Sequence, residues 1–195
     1  MFKDEEGLDS DYFWKNSPKF EIKNHRLFFK TSPDTDFWQK THYGFRRDNG
    51  HCLLKNITAD FSLSVRTEFY PKKQYDQCGL IVRIDSENWI KTSIEYETSD
   101  HSRLGSVVTN LGYSDWATLD IHSKINTMWY RIQNKENDFL LEYSENGMNW
   151  KQLRMAHLLL NSRPLAVGIY ACSPMESSFE CVFDHFELGD SEWPV

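Results

Sequence analysis

Hydrophobic and polar residues alternate along most of the chain, with the period of two that a half-buried strand imposes. The stretch 59–65 sets Phe61, Leu63 and Val65 on one parity, and Cys78, Leu80, Val82 and Ile84 repeat the pattern. Ile90, Ile94 and Tyr96 follow, then Met128, Tyr130 and Ile132, then Phe139, Leu141 and Tyr143, with two further apolar runs at 166–172 and 179–186. Turn residues separate these runs. Asn146-Gly147 predicts a tight hairpin between 139–144 and 150–155, because both residues tolerate positive φ. Asn49-Gly50 marks a second turn, between 43–47 and 52–54, and 85–88 joins two runs that should pair. Only 153–161 has room for a helix, and a short one. Nine to twelve strands without helices must bury their apolar faces against another sheet. The expected fold is therefore all-β, a two-sheet antiparallel sandwich of jelly-roll type, with a closed barrel as the second choice.

Composition narrows this picture. The chain has 195 residues, with six prolines and nine glycines dispersed along it, and no repeat or linker, so one domain over 1–195 is expected, its core about 13–188 behind a short acidic N-terminal tail. Aromatic residues make up 15 % of the chain, which argues against disorder and exceeds what one core absorbs, so some rings should line a surface or pocket. A formal net charge of −7 with scattered cations argues against a nucleic-acid partner. No stretch approaches the ~18 consecutive apolar residues of a membrane span. The acidic N-terminus lacks the basic and apolar regions of a signal peptide, which points to the cytoplasm. Cys52, Cys78, Cys172 and Cys181 form no CxxC pair, so reduced thiols are expected and no metal or other cofactor. Cys78 falls on the inward parity, and Cys172 on the outward one.

The same alternation gives the other face of the sheet. If Cys78, Leu80, Val82 and Ile84 point inward, then Gln77, Ile81, Arg83 and Asp85 point out, joined from the next strand by Trp89, Lys91, Ser93, Glu95 and Glu97. Such a face is either a surface laced with cross-strand ion pairs or the floor of a polar groove. Glu95 and Glu97 stand two apart on one strand, ~6.5–7 Å between Cα atoms, within reach of the carboxyl separation that glycoside hydrolysis needs. Three further segments mix rings with hydrogen-bonding groups: 36–45 with Trp38, His42 and Tyr43, 110–116 with Asn110, Asp115 and Trp116, and 170–174 with Tyr170. That mixture suits a sugar or small polar metabolite, whose CH faces stack on rings while amides and carboxylates take its hydroxyls. The alternative is that Trp38 and Trp116 plug the ends of the sandwich. His42 and His51 with Asp48 match no metal-binding or acid–base spacing, and a hydrogen-bonding role is expected of them. No nucleophile elbow, phosphate loop or HExxH is present.

Asp36-Phe37-Trp38 with Thr41-His42-Tyr43-Gly44, then 77–83 and 88–95, resemble a family of concanavalin-A-like sandwiches of unassigned function. Leu104–Asn110, Trp129-Tyr130-Arg131 and 167–174 fit the same family, so the resemblance runs from about residue 13 to 188. It implies a sandwich of the lectin and glucanase superfamily, with a concave sheet. Its members include a fungal protein named for the regulation of enolase. The resemblance thus implies a non-enzymatic regulator of carbohydrate metabolism with enolase as a candidate partner. A carbohydrate-binding module, or a glycoside hydrolase-like protein using Arg83, Glu95 and Glu97, is the alternative. The glucanase signature Glu-x-Asp-x-x-Glu is absent around Glu95, where the chain reads Ile94-Glu95-Tyr96-Glu97-Thr98.

Overall fold

The computed structural model describes residues 2–3, 7–42 and 44–193. In chain order the strands are β1 (Phe2–Lys3), β2 (Gly7–Leu8), β3 (Tyr12–Lys15), β4 (Phe20–Lys23), β5 (Arg26–Lys30), β6 (Phe37–Gln39), β7 (Arg46–Asp48), β8 (His51–Ile57) and β9 (Ser62–Tyr70). They continue as β10 (Gln77–Arg83), β11 (Trp89–Tyr96), β12 (His101–Asn110), β13 (Tyr113–His122), β14 (Thr127–Lys135), β15 (Asp138–Ser144), β16 (Lys151–His157), β17 (Leu165–Cys172) and β18 (Glu180–Gly189). No helix occurs among the described residues, and so none long and apolar enough to cross a membrane.

Two seven-stranded sheets face each other. The front sheet runs β13-β12-β11-β10-β17-β8-β3 and the back sheet β16-β15-β14-β9-β18-β5-β4, with every neighbouring pair antiparallel. This is the all-β sandwich that the alternation predicts. The expected inward residues of the front sheet, Leu80, Val82, Ile90 and Ile94, meet Leu63, Val65, Tyr130, Ile132, Phe139 and Leu141 of the back sheet in one buried core. Tyr130 carries its hydroxyl across the interface to accept a hydrogen bond from the Ile94 amide at 2.8 Å, which satisfies a polar group that burial would otherwise penalise.

The Asn146-Gly147 turn joins β15 to β16, with Gly147 at a φ of 73° and closely packed on the Trp129 ring. The segment 153–161 forms no helix. Most of it is β16, whose hydrogen bonds to β15 and a bulge at Leu141/Glu142 override any local helical tendency.

Strict alternation fails on the front sheet, where all seven residues of β10 are buried. The cause is the small β6–β7 hairpin, which lies across the outer face and forms a second apolar cluster. Phe37 is its centre, and Cys52, Leu54, Ile81, Trp89, Val107, Tyr170 and Cys172 surround it. The Asn49 side chain fixes the hairpin, accepting from the Asp36 amide at 2.9 Å and donating to the Asp34 carbonyl at 3.0 Å. All four cysteines are free and buried, Cys172 included despite its outward parity. Cys172 instead lies beneath the hairpin, 3.8 Å from Asp36.

Candidate functional site

The hairpin covers only half of the outer face of the front sheet. Over the remainder lies a groove of about 1130 Å³, large enough for several sugar-sized groups. Its floor is the outward parity of three adjacent strands: Gln77 of β10, Lys91 and Glu95 of β11 with Glu97 just beyond its end, and Arg103 and Val107 of β12. Trp38 and Arg47 of the hairpin, with Asp36, Thr41, His42 and Phe45 from its ends, form one wall. Tyr113, Ser114, Asp115 and Trp116 of the edge strand β13 form another, and Gln74, Tyr75, Pro174 and Met175 close an end. The walls are tied together by Ser114 Oγ, which accepts from the Gln39 amide at 2.9 Å. Trp38 and Trp116 also meet edge to face, with centroids 6.4 Å apart.

A hydrogen-bonded chain fixes the floor. The buried Tyr170 hydroxyl donates to Gln77 Oε1 at 2.9 Å and lies 2.8 Å from Ser93 Oγ. Gln77 Nε2 in turn donates to the Tyr75 carbonyl at 3.1 Å and to Glu95 Oε2. Gln77 therefore has its amide orientation set on both sides and holds one oxygen of Glu95. Burial pushes the Glu95 carboxyl up to about 8. Lys91 and Arg103 oppose that rise, while Asp36 and Glu97 add to it. Burial at the bottom of the groove thus favours the protonated carboxyl over the carboxylate.

The charged neighbours are paired. Lys91 Nζ lies 3.5 Å from Asp36 Oδ1, with the Trp89 and Tyr170 rings 5.8 and 5.6 Å away. Glu97 accepts from Gln74 Nε2 at 2.8 Å and sits 3.2 Å from Arg103 Nε, whose guanidinium covers the Trp116 ring at 5.1 Å. Asp115 on the rim pairs with Arg154 at 2.7 Å.

Of the residues expected at a site, Trp38, His42, Gln77, Lys91, Glu95, Glu97, Asp115 and Trp116 thus share the groove. Four others lie elsewhere. Arg83 is opposite Trp89, not beside the carboxylates, and grips Asp48 through two hydrogen bonds of 2.6 and 2.9 Å, which anchors β7 to the sheet. Trp89 and Tyr170 are fully buried under Phe37. Asn110 is a tether, donating to the His157 carbonyl at 3.0 Å and accepting from the Leu159 amide at 2.9 Å. Tyr43 lies outside the described residues. His51 is a buried hydrogen-bonding residue, accepting from the Ser32 amide at 2.8 Å, and burial pushes its pKa down. Among the described residues no group of three His, Cys, Asp or Glu side chains is placed to hold a metal ion. Sequence reasoning missed Arg103, although carrying the parity one strand further, across β12, reaches it. Gln74, Tyr75 and Met175 come from loops that carry no periodic signal.

The profile of a family described as "Protein of unknown function (DUF1349)" matches residues 14–191. The chain is 33 % identical over 176 residues to "Regulation of enolase protein 1" of Saccharomyces cerevisiae, covering 90 % of this chain and 87 % of that one. The crystal structure of a functionally unknown protein from Saccharomyces cerevisiae superposes with a TM-score of 0.86 at 31 % identity, over 95 % of this chain and 98 % of the other. Two enzymes are similar in fold alone. The GH43 protein BlXynB from Bacillus licheniformis has a TM-score of 0.74 at 17 % identity, over 95 % of this chain and 38 % of the enzyme. The alginate lyase from Klebsiella pneumoniae has a TM-score of 0.61 at 10 % identity, over 91 % of this chain and 86 % of the lyase.

Proposed function

The chain belongs to the DUF1349 family of proteins of unknown function, and on that footing we propose that it is a non-catalytic, cytoplasmic regulator of carbohydrate metabolism that works by binding a saccharide or related polyol in the groove. The observation that carries this reading is the groove itself. Its Trp38, Trp116 and Tyr113 rings border a floor of amide, carboxyl and ammonium groups held in fixed orientation. Rings supply area to the CH faces of a sugar, and preset donors and acceptors take its hydroxyls at little entropic cost. The 33 % identity to a protein named for regulation of enolase supports enolase as the partner through which the bound state is read out. Tryptophan fluorescence is the direct test, because two indoles border the groove. Saturable quenching by a neutral oligosaccharide, abolished in Trp116→Ala, is the expected result, together with a change in enolase turnover when the two proteins are mixed. A flat titration across a saccharide panel removes the groove reading, and unchanged enolase turnover with no co-purification removes the partner.

A hydrolytic reading has one observation in its favour, the protonated Glu95 next to the salt-bridged Glu97 on a single strand face. Glycoside cleavage needs such an acid beside a carboxylate base. Turnover of aryl glycosides that is lost in Glu95→Gln would replace the binding reading with this one.

A further inference from the structure

The groove chemistry goes further than "saccharide" and separates two classes of them. Three cationic side chains border the groove among the described residues, Arg47, Lys91 and Arg103. Each already has a carboxylate: Lys91 lies 3.5 Å from Asp36, Arg103 lies 3.2 Å from Glu97, and Arg47 lies 3.7 Å from Asp34. A ligand carboxylate, sulfate or phosphate reaching the floor meets Lys91 and Arg103 already paired. To take either cation it must displace Asp36 or Glu97 while lying over the Glu95 carboxyl. Uncharged hydroxyls meet no such conflict.

The floor also has a defined low point. Between Ser93 of β11 and Gly105 of β12, which are register partners, only a serine hydroxyl projects from the sheet, and Gln77, Lys91, Glu95 and Arg103 surround the gap beneath Trp116. The notch leaves about 10 Å³ for the centre of a water-sized group, roughly one oxygen's worth of space. A Cβ at Gly105 would run into the carbonyl of Ala117, so the residue type that keeps the notch open is also the one the neighbouring strand requires.

We propose that the groove selects an uncharged saccharide chain over an acidic one and seats a single sugar hydroxyl in the notch below Trp116. The inference rests on the saccharide reading of the groove given above, and its test separates the two. Calorimetric titration of the full chain uses neutral xylo-, cello-, manno- and malto-oligosaccharides in one arm and oligogalacturonate and oligoguluronate in the other, at matched chain length and ionic strength. At least one neutral chain is expected to bind tenfold or more tightly than either acidic chain. Tyr113→Ser and Trp116→Ala both weaken that binding, and Tyr113, as an exposed rim residue, guards against a folding defect at Trp116.

Glu97→Gln supplies the decisive variant, since it retains an acceptor for Gln74 but releases the charge of Arg103. It should raise affinity for the acidic chains severalfold relative to the neutral one, a gain that mere structural damage does not produce. Acidic chains binding the unmodified protein as tightly as neutral ones overturn the inference and leave the groove reading standing. An unchanged preference in Glu97→Gln overturns it as well, because the pairing of Arg103 is its ground. Silence in both arms overturns the saccharide reading, and the inference falls with it.

Discussion

Glu95 gathers most of the chemistry of the groove into one side chain. Its carboxyl is desolvated at the floor, receives a hydrogen bond from Gln77 and has a pKa near 8. The sign of the stability effect follows from proton counting. Between about pH 4.5 and 8 the folded protein holds this proton while the unfolded chain has released it, so folding is progressively disfavoured as pH rises through that window. Below it both states are protonated, and above it both are ionised. Glu95→Gln removes the titration but keeps a neutral, hydrogen-bonding side chain of the same size. The variant should therefore melt at the same temperature as the parent near pH 4 and higher than the parent near pH 9. The gain is about 2–4 °C for each kcal/mol of ionisation cost avoided in a chain of this length. Melting curves that stay parallel across the whole range would show that Glu95 is not desolvated in solution. Gln77 fixes the orientation of Glu95, because its own amide is held between Tyr170, Tyr75 and Glu95.

At the scale of elements, the β6–β7 hairpin turns half of a polar sheet face into core and leaves the other half as a walled groove. Phe37 is completely buried between Trp89 and Tyr170, with ring centroids 6.1 Å from each. Gly50 follows β7 because a Cβ there would enter the Phe37 ring. Phe37→Ala should cost about 3–5 kcal/mol, as for other large-to-small changes in a close-packed site. Arg83→Met should cost about 3 kcal/mol, by leaving Asp48 with only Lys15, at 3.3 Å, as a partner. Denaturant melts measure both, and ligand binding should weaken in each even though neither residue lines the groove. These losses mark the limit of what the sequence shows. Strand parity correctly put Gln77, Lys91, Glu95 and Glu97 on one outer face, since a period of two is a local property. It placed Arg83, Trp89 and Tyr170 on that face too, but could not show that a three-residue hairpin strand lies over them. Covering is a tertiary event, and the strands beneath it carry the same alternation whether or not it occurs.

Across the whole molecule, the surplus of rings divides between two apolar clusters on opposite faces of one sheet and a smaller group at the groove. Phe29, Phe61, Phe69, Tyr130, Phe139, Phe179 and Phe183 fill the space between the sheets, while Phe37, Trp89 and Tyr170 fill the space under the hairpin. The two-sheet architecture was legible because the core-facing apolar positions recur with a period of two in both sheets, whereas the second cluster draws on residues whose parity reads as surface. The cysteines report on the two clusters separately. Cys78 and Cys181 lie between the sheets, and Cys52 and Cys172 lie beneath the hairpin. Burial pushes the Cys52 thiol up to about 12 and raises those of Cys172 and Cys181 well above their ordinary value, so the native protein should resist thiol reagents at pH 8. The hairpin is held by three-residue strands, one central ring and a few polar anchors, whereas parting the sheets exposes the entire main core. Local opening of the hairpin should therefore precede global unfolding. With a chromogenic disulfide reagent and peptide mapping, Cys52 and Cys172 should react first and Cys78 and Cys181 only at the rate of global unfolding. Phe37→Ala should accelerate the first pair more than its global destabilisation accelerates the second. Simultaneous reaction of all four thiols, equally accelerated in the variant, would mean that hairpin and sandwich open as a single cooperative unit.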